Sequence, residues 1–209
     1  MSRGRPKNPE LQEKTRAALL DAARTLLMEK NYSSITIREL AAHAGTQSGM
    51  ISYYFGNKKG LFEAMLKQAA KNRQIKLASL SADVMKDRER IFEVLVSGVI
   101  DLLLEDRWLF KFFQDEVITK DSEIKPIIIN EFSSISPVGL MQLFGQLQEE
   151  GVIRSDINLK YFIASFMSLI GFPIMSQPLL EEAVGIDLET VASVEWKQHI
   201  SDLLKRSVA

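Results

Sequence analysis

The chain has 209 residues, of which 46% are hydrophobic, and its formal net charge at pH 7 is −1. This length and composition allow one large or two small domains with a buried core. There is no cysteine, which excludes disulfides, thiolate metal sites and cysteine nucleophiles. The two histidines, His43 and His199, are too few for a multi-histidine metal site.

The charge is distributed unevenly along the chain. Residues 1–60 hold 10 Lys and Arg against 5 Asp and Glu, whereas residues 61–209 hold 16 against 22. A basic N-terminal end is the electrostatic footprint of a polyanion-binding protein, although a basic solvated surface would look the same.

One stretch is apolar enough to raise the question of a membrane helix. Residues 161–180 contain no charged residue, but they include three serines and two prolines and lack flanking basic clusters. We therefore expect a buried helix and no membrane contact. The basic N-terminus has no apolar run behind it, so we predict no secretory signal and a cytoplasmic location.

The N-terminal part reads as two helices in succession. Apolar residues recur at three- and four-residue steps over about 10–30, which predicts an amphipathic helix. Thr36 and Glu39 then have the spacing of a capping box, which predicts a short helix over about 36–43.

Glycines and capping residues divide the stretch AGTQSGMISYYFGNKKGLF, residues 44–62. Gly45 would end the second helix, and Thr46 or Ser48 could cap a third over about 47–54. Gly56 would end that helix in turn, and Asn57 would cap a fourth that opens at Lys58. Two short helices joined by a tight turn predict a helix-turn-helix unit.

In such a unit the second helix enters the major groove of DNA. Ile51 and Phe55, four residues apart, would pack inward. The groove-facing positions would be Gln47, Ser48, Gly49, Met50, Ser52 and Tyr53. Gly49 would allow close approach, while Tyr54 and Lys58 suit phosphate oxygens. Taken singly, the tyrosines could be half-buried aromatics and Lys58 a solvated helix start.

Residues 15–66 resemble the DNA-binding domain of the TetR/AcrR family of bacterial transcriptional regulators. The resemblance is carried by ITIRELAAHAG, GMISYYF and NKKGLF. It implies phosphate contacts from Thr36, Tyr53, Tyr54 and Lys58, and base contacts from Arg38, Ser48, Gly49 and Ser52.

Two positions depart from the family pattern. Ser52 stands where the family very often has tyrosine, and Gly56 where it often has lysine or arginine. A basic N-terminal arm with Arg3, Arg5 and Lys7 could compensate by reaching the minor groove or backbone, or it could be a solubilising tail.

The rest of the chain reads as helical, near 88–105, 107–119, 123–150, 158–177 and 188–206, with Pro126 and Pro137 starting or kinking segments. We predict an all-α protein with a basic arm (1–9), a helix-turn-helix domain (10–56), a connecting helix (57–78) and a ligand-binding and dimerisation domain (79–209). No pairing of nucleophile and base is apparent, so an enzyme is not expected, and neither is a metal or cofactor.

The last helices carry more apolar surface than one core needs. The resemblance implies that they form a four-helix interface in a homodimer, which would read two half-sites of a palindromic double-stranded operator. The predicted interface residues are Phe162, Leu169, Ile170, Trp196, Ile200, Leu203 and Leu204. The alternative is that all of them belong to a monomer core.

The resemblance also implies a pocket for a small-molecule effector. Its predicted apolar wall is Trp108, Phe112, Phe113, Met141, Phe144 and Phe166, with Arg107, Asp115 or Glu116 at a polar end. Each of these could instead be an ordinary core residue. The expected function is a repressor released by a largely apolar ligand. The alternative is a DNA-binding protein of the same fold that localises a protein partner, such as a cell-division component.

Overall fold

The computed structural model describes residues 9–86, 90–118, 122–133 and 137–208. Every regular element in these ranges is helical, which confirms the predicted all-α fold. The predicted basic arm falls largely on residues 1–8, so Arg3, Arg5 and Lys7 lie outside the described residues.

The N-terminal helices match the sequence prediction closely. They are α1 (Pro9–Glu29), α2 (Ile37–His43), α3 (Gly49–Phe55) and α4 (Lys58–Lys86), with a 3₁₀ turn at Tyr32–Ser34 between α1 and α2. Their ends coincide with capping residues and glycines, because these residues satisfy or terminate backbone hydrogen bonding locally.

The later helices are more divided than the sequence suggested. They are α5 (Ile91–Glu105), α6 (Arg107–Phe113), α7 (Lys125–Ser133), α8 (Pro137–Glu149), α9 (Leu159–Met175), α10 (Gln177–Val184), α11 (Leu188–Ala192) and α12 (Val194–Val208), with a π-helical turn at Gln114–Ile118. Pro126 lies in the first turn of α7 and Pro137 begins α8, as predicted, since proline needs no amide hydrogen at these positions.

The chain forms two compact units. Unit 1 contains the described residues of Met1–Ala69 and Lys111–Ile129, and unit 2 those of Ala70–Phe110 and Asn130–Ala209. The segment Lys111–Ile129 therefore groups with the N-terminal helices, which the sequence analysis did not predict.

Unit 1 has its own apolar core. From α1 through the first half of α4, its fully buried side chains include Leu19, Leu20, Leu27, Leu40, Ile51, Leu61, Phe62 and Met65. Burying a side chain of this size stabilises a fold by roughly 1.5–3 kcal/mol. The short helices α2 and α3 are held by this packing, since isolated helices of that length are unstable in water.

Unit 2 has a larger core, formed by α5, α8, α9, α11 and α12. Phe144 packs edge-on against Phe162 and Phe166, with ring centroids 5.0 and 5.4 Å apart. Among the described helices, none is by itself long and apolar enough to cross a membrane; α9 and α10 meet that test only as a pair, which is bent by 79°.

Candidate nucleic-acid interface

The entry to α2 is organised by the predicted capping box. The Thr36 hydroxyl accepts from the Glu39 amide (3.2 Å), and the Glu39 carboxylate accepts from the Thr36 amide (2.9 Å). Glu39 also pairs with Lys30. A hydrogen bond from Lys30, with further ones from Thr36, lowers the pKa of Glu39 to about 2. Glu39 therefore stays ionised, and the start of α2 is well defined.

The turn between α2 and α3 depends on Gly45. Its φ of 62° is left-handed, and this conformation ends α2 as predicted. The Thr46 amide donates to the Ala41 carbonyl at 2.9 Å, which closes the turn. At the far end of α3, Gly56 has a φ of 79°, and the Asn57 side chain then caps α4 by accepting from the Gly60 amide at 2.8 Å.

The predicted capping of α3 by a side chain is wrong. Ser48 occupies the N-cap position, but with φ −55° and ψ −34° its backbone is already helical, and its side chain makes no capping bond. A capping side chain needs an extended backbone in order to fold back onto the first amides. The Ser48 hydroxyl consequently remains on the outer surface.

Ile51 anchors α3 to the rest of unit 1. Its side chain is completely buried, as predicted, and α3 packs on α2. Phe55 is half-buried, with the Arg16 guanidinium 5.6 Å from its ring centroid. The inward side of α3 is thus fixed, which leaves its other side to face solvent.

Most of the predicted DNA-contacting residues lie on exposed surface. Met50, Tyr54 and Lys58 are half-buried, and the exposed ones are Thr36, Arg38, Gln47, Ser48, Gly49, Ser52 and Tyr53. The rings of Tyr53 and Tyr54 meet edge-on, with centroids 4.9 Å apart. Amide, hydroxyl and guanidinium groups at the start of a helix are suited to base edges and phosphate oxygens.

Gly49, the first residue of α3, has no internal reason to be glycine. A Cβ atom added there would meet no heavy atom within 4 Å, and its φ is not positive. Alanine would be the better helix former at this position by about 1 kcal/mol. A glycine at this position is explained if a binding partner must approach the backbone of α3 closely, because a side chain would keep the partner away.

Lys58 behaves differently from the expectation of a phosphate contact. Its ammonium donates to the Tyr32 carbonyl at 2.5 Å and lies 4.2 Å from the centroid of the Tyr32 ring. Burial lowers the pKa of Lys58, while the carboxylates of Glu123 and Glu116 act in the opposite direction. A phosphate contact by Lys58 would require it to leave these partners.

Tyr32 connects the helix-turn-helix to a distant segment of the chain, a feature that sequence reasoning missed. Its hydroxyl donates to the Glu123 carboxylate at 2.8 Å, across 91 residues of sequence. Its ring packs edge-on against Phe62 at 4.9 Å and lies 6.5 Å from Phe112. Nothing in the local sequence around Tyr32 points to Glu123, because only the tertiary fold brings them together.

Replacing Tyr32 with phenylalanine should lower the free energy of unfolding by about 1.5–3 kcal/mol at pH 7, since a hydrogen bond to a carboxylate is lost. Burial, followed by the bond to Glu123, raises the pKa of Tyr32, so its contribution is complete below about pH 10 and declines above it. The difference between wild type and Tyr32→Phe should therefore shrink towards pH 11. Denaturant unfolding from pH 7 to 11 measures this.

Tyr53→Phe is the matched control, because the Tyr53 side chain is exposed. Removal of its hydroxyl group should leave the free energy of unfolding unchanged at every pH. A stability difference for Tyr32→Phe that stays constant up to pH 11 would contradict the assigned role of the Tyr32 hydroxyl.

The predicted ligand wall is divided between the two units. Phe112, which is buried, and Phe113, which is half-buried, belong to unit 1. Trp108, Met141, Phe144 and Phe166 belong to unit 2. Phe112 contributes to the aromatic group around Tyr32 and Phe62, while Phe144 and Phe166 lie in the unit 2 core.

The predicted dimer residues are mostly internal. Phe162, Ile170, Ile200 and Leu204 are buried in the core of unit 2, so they already have partners within their own chain. Leu169 and Trp196 are half-buried, and Leu203 is exposed. The sequence prediction assigned these four residues to a partner subunit because α9 is apolar on most faces, which hides the face that packs inward.

The same helix-turn-helix occurs in a known family. The family model of bacterial regulatory proteins, tetR family, matches residues 19–65, which include α2, α3 and the start of α4. Residues 19–65 are therefore a DNA-binding domain of the TetR type. Its relatives are regulators of transcription, which favours this function over the localisation of a protein partner.

Similarity to individual members extends over nearly the whole chain. The HTH-type transcriptional regulator YvkB of Bacillus subtilis is 26% identical over 188 residues, which cover 86% of this chain and 98% of YvkB. The HTH-type transcriptional repressor NicS of Pseudomonas putida is 24% identical over 198 residues, which cover 94% of this chain and 93% of NicS.

Solved structures show the same fold. The regulator FadR from Bacillus subtilis, in complex with stearoyl-CoA, superimposes with a TM-score of 0.71 at 19% identity, over 92% of this chain and 99% of FadR. NalD, the secondary repressor of the MexAB-OprM multidrug efflux pump in Pseudomonas aeruginosa, superimposes with a TM-score of 0.66 at 24% identity. The match covers 96% of this chain and 98% of NalD.

Proposed function

We propose that this chain is a homodimeric repressor of the TetR type that binds a palindromic operator and is released by a small, largely apolar ligand. The observation that carries the proposal is the outer side of α3, where an uncapped helix start, an unexplained glycine and exposed polar side chains come together. Residues 10–56 would bind DNA, and residues 79–209 would bind the ligand and the partner subunit. Residues 57–78 would form the helix that connects these two domains.

Each exposed group has a proposed partner on DNA. Arg38, Ser48 and Ser52 would meet base edges, and Gly49 would allow the helix to approach. Thr36, Tyr53 and Tyr54 would hold phosphates. Lys58 is proposed instead to hold Tyr32 in place, because its ammonium is already hydrogen-bonded there.

The Arg38→Ala variant should bind the operator about 5- to 150-fold more weakly and lose discrimination at one base-pair position, because an arginine contact to a base edge is worth about 1–3 kcal/mol. The operator would first be recovered by selection from random duplex DNA. Fluorescence anisotropy on that operator and its single-base variants then measures both effects.

Lys67→Ala is the control, because it removes one positive charge from an exposed position on α4, where Lys67 pairs with Glu63. It should retain affinity and base preference. Equal affinity and discrimination in Arg38→Ala and wild type would remove Arg38 from the interface.

A second copy of the chain is the proposed partner of α9 and α12. Tyr161 and Phe172 on α9 are 74% and 55% exposed, and they lie 11 residues apart, close to three helical turns, on one face. Ser165 and Ser168 lie between them and are small enough for close helix approach. On α12, Leu203 is 41% exposed. A two-fold axis would let these faces cover each other.

The proposed ligand is largely apolar because Phe112 and Phe113, the predicted wall residues that belong to unit 1, are aromatic. FadR, which has the same fold, binds stearoyl-CoA in its solved structure, and this supports a ligand with an apolar body. Ligand and DNA would weaken each other's binding by the same factor, as linkage requires. The regulator is proposed to act in the cytoplasm, by binding alone and without catalysis.

A further inference from the structure

Glu116 is a buried carboxylate with an unsatisfied oxygen. It lies in the π-helical turn Gln114–Ile118 that follows α6, and its side chain is 1% exposed. Its Oε1 atom has no hydrogen-bond partner among the described residues. A buried acceptor without a partner destabilises the fold, and more so when it is charged, so native proteins rarely keep one without a use for it.

Glu116 acts electrostatically on Lys58 and Tyr32, as Glu123 does, and these groups already have other partners. The Lys58 ammonium donates to the Tyr32 carbonyl, and Glu123 accepts from the Tyr32 hydroxyl. Asp115, the neighbouring carboxylate, pairs with Lys111 at 2.5 Å. Glu116, Glu123 and Lys58 together carry two negative charges against one positive. The excess carboxylate is the one that has the unpartnered oxygen.

Aromatic side chains belong to the same unit as Glu116 and precede it on the same segment. Phe112, one turn before Glu116, is fully buried and lies 6.0 Å from Phe62 and 6.5 Å from Tyr32, measured between ring centroids. Aromatic faces attract cations and accept apolar groups, and π-helical turns occur frequently at functional sites. A carboxylate on the same segment as a buried aromatic side chain suits a cation that is attached to an apolar body.

We infer that Glu116 binds the positively charged end of the effector, an ammonium or amidinium group that donates a hydrogen bond to Oε1. This inference rests on the proposed function and names the chemical class of its ligand. The apolar body of the effector would pack against Phe112 and Phe113, which precede Glu116 on the same segment.

The test compares three probes with the same ten-carbon chain and different head groups. Decylammonium, decanol and decanoate are titrated into the full-length protein at pH 7 by calorimetry, below their micellar concentrations. Wild type should bind decylammonium about tenfold or more tighter than decanol, because a charge-assisted hydrogen bond is worth about 1.5–3 kcal/mol, and decanoate should bind most weakly.

Glu116→Gln should reduce the preference for decylammonium over decanol to about one while leaving decanol binding unchanged, because only the charged contact is removed. Glu116→Asp should keep a preference for the cation. Glu63→Gln, the same substitution at an exposed ion pair on α4 of the same unit, should behave as wild type.

Equal binding of the three probes by wild type, binding of none, or a preference that survives in Glu116→Gln would overturn the inference. If Glu116→Gln does not fold, the wild-type head-group preference and its retention in Glu116→Asp decide the question. Operator binding without any probe is measured in parallel. If wild type does not bind the operator, the proposed repressor function is refuted instead. Failure of the Glu116 inference and failure of the proposed function are therefore distinguishable.

Discussion

Phe172→Asp should convert the regulator to a monomer and weaken binding to a full palindromic operator by about 100-fold or more. Phe172 projects from the same face of α9 as Tyr161, and two-fold symmetry would place two introduced carboxylates in one apolar interface. A monomer reads one half-site, so it loses the gain in affinity that comes from linking two binding events. Sedimentation velocity and anisotropy on full and half operators measure both effects.

The matched control is Ile75→Asp. Ile75 on α4 is also a large apolar residue, 62% exposed, and it lies outside the proposed interface. The Ile75→Asp variant should remain dimeric and bind the operator with unchanged affinity. A dimeric Phe172→Asp variant, or a wild type that sediments as a monomer at micromolar concentration, would contradict the assignment of α9 to the subunit interface.

Two glycine-to-alanine substitutions in unit 1 should have opposite effects on stability. In Gly60→Ala, the new Cβ would come within 2.1 Å of the Phe55 carbonyl oxygen, a backbone atom that cannot move away independently. We expect a loss of about 1–3 kcal/mol, typical of overpacking, despite the better helix propensity of alanine. Gly49→Ala meets open space and should be neutral or stabilising by up to about 1 kcal/mol.

The two variants should also separate folding from DNA binding. Gly49→Ala should fold as well as wild type and bind the operator about tenfold or more weakly, because its added methyl group keeps α3 away from the groove. Thermal unfolding and anisotropy on the same samples measure this. Undiminished operator affinity in Gly49→Ala would show that the glycine does not serve DNA approach.

Local features of this chain follow from the sequence because they depend on residues close together in it. The capping box joins Thr36 to Glu39, and the Asn57 cap reaches the Gly60 amide; each spans three residues. The left-handed turn at Gly45 needs only the absence of a side chain. These features were predicted correctly, and they place α2, α3 and α4 in the order of a helix-turn-helix.

Side-chain direction was less predictable. Lys58 has the sequence context of an exposed helix start, yet its ammonium is held by Tyr32, 26 residues away. Phe162 and Ile170 were assigned to a subunit interface, but α9 turns them into the core of unit 2. A helix that is apolar on most faces carries no periodic signal for which face is internal.

By itself, therefore, the sequence determined the all-helical class, the order of the helices in the N-terminal domain and, through its motifs, the resemblance of that domain to TetR regulators. Only the tertiary structure decided that Lys111–Ile129 packs with that domain, that Glu123 receives the Tyr32 hydroxyl and that Glu116 is buried without a partner. The physical reason is range: caps and turns act over a few residues, whereas burial and pairing depend on segments that meet only when the chain has folded.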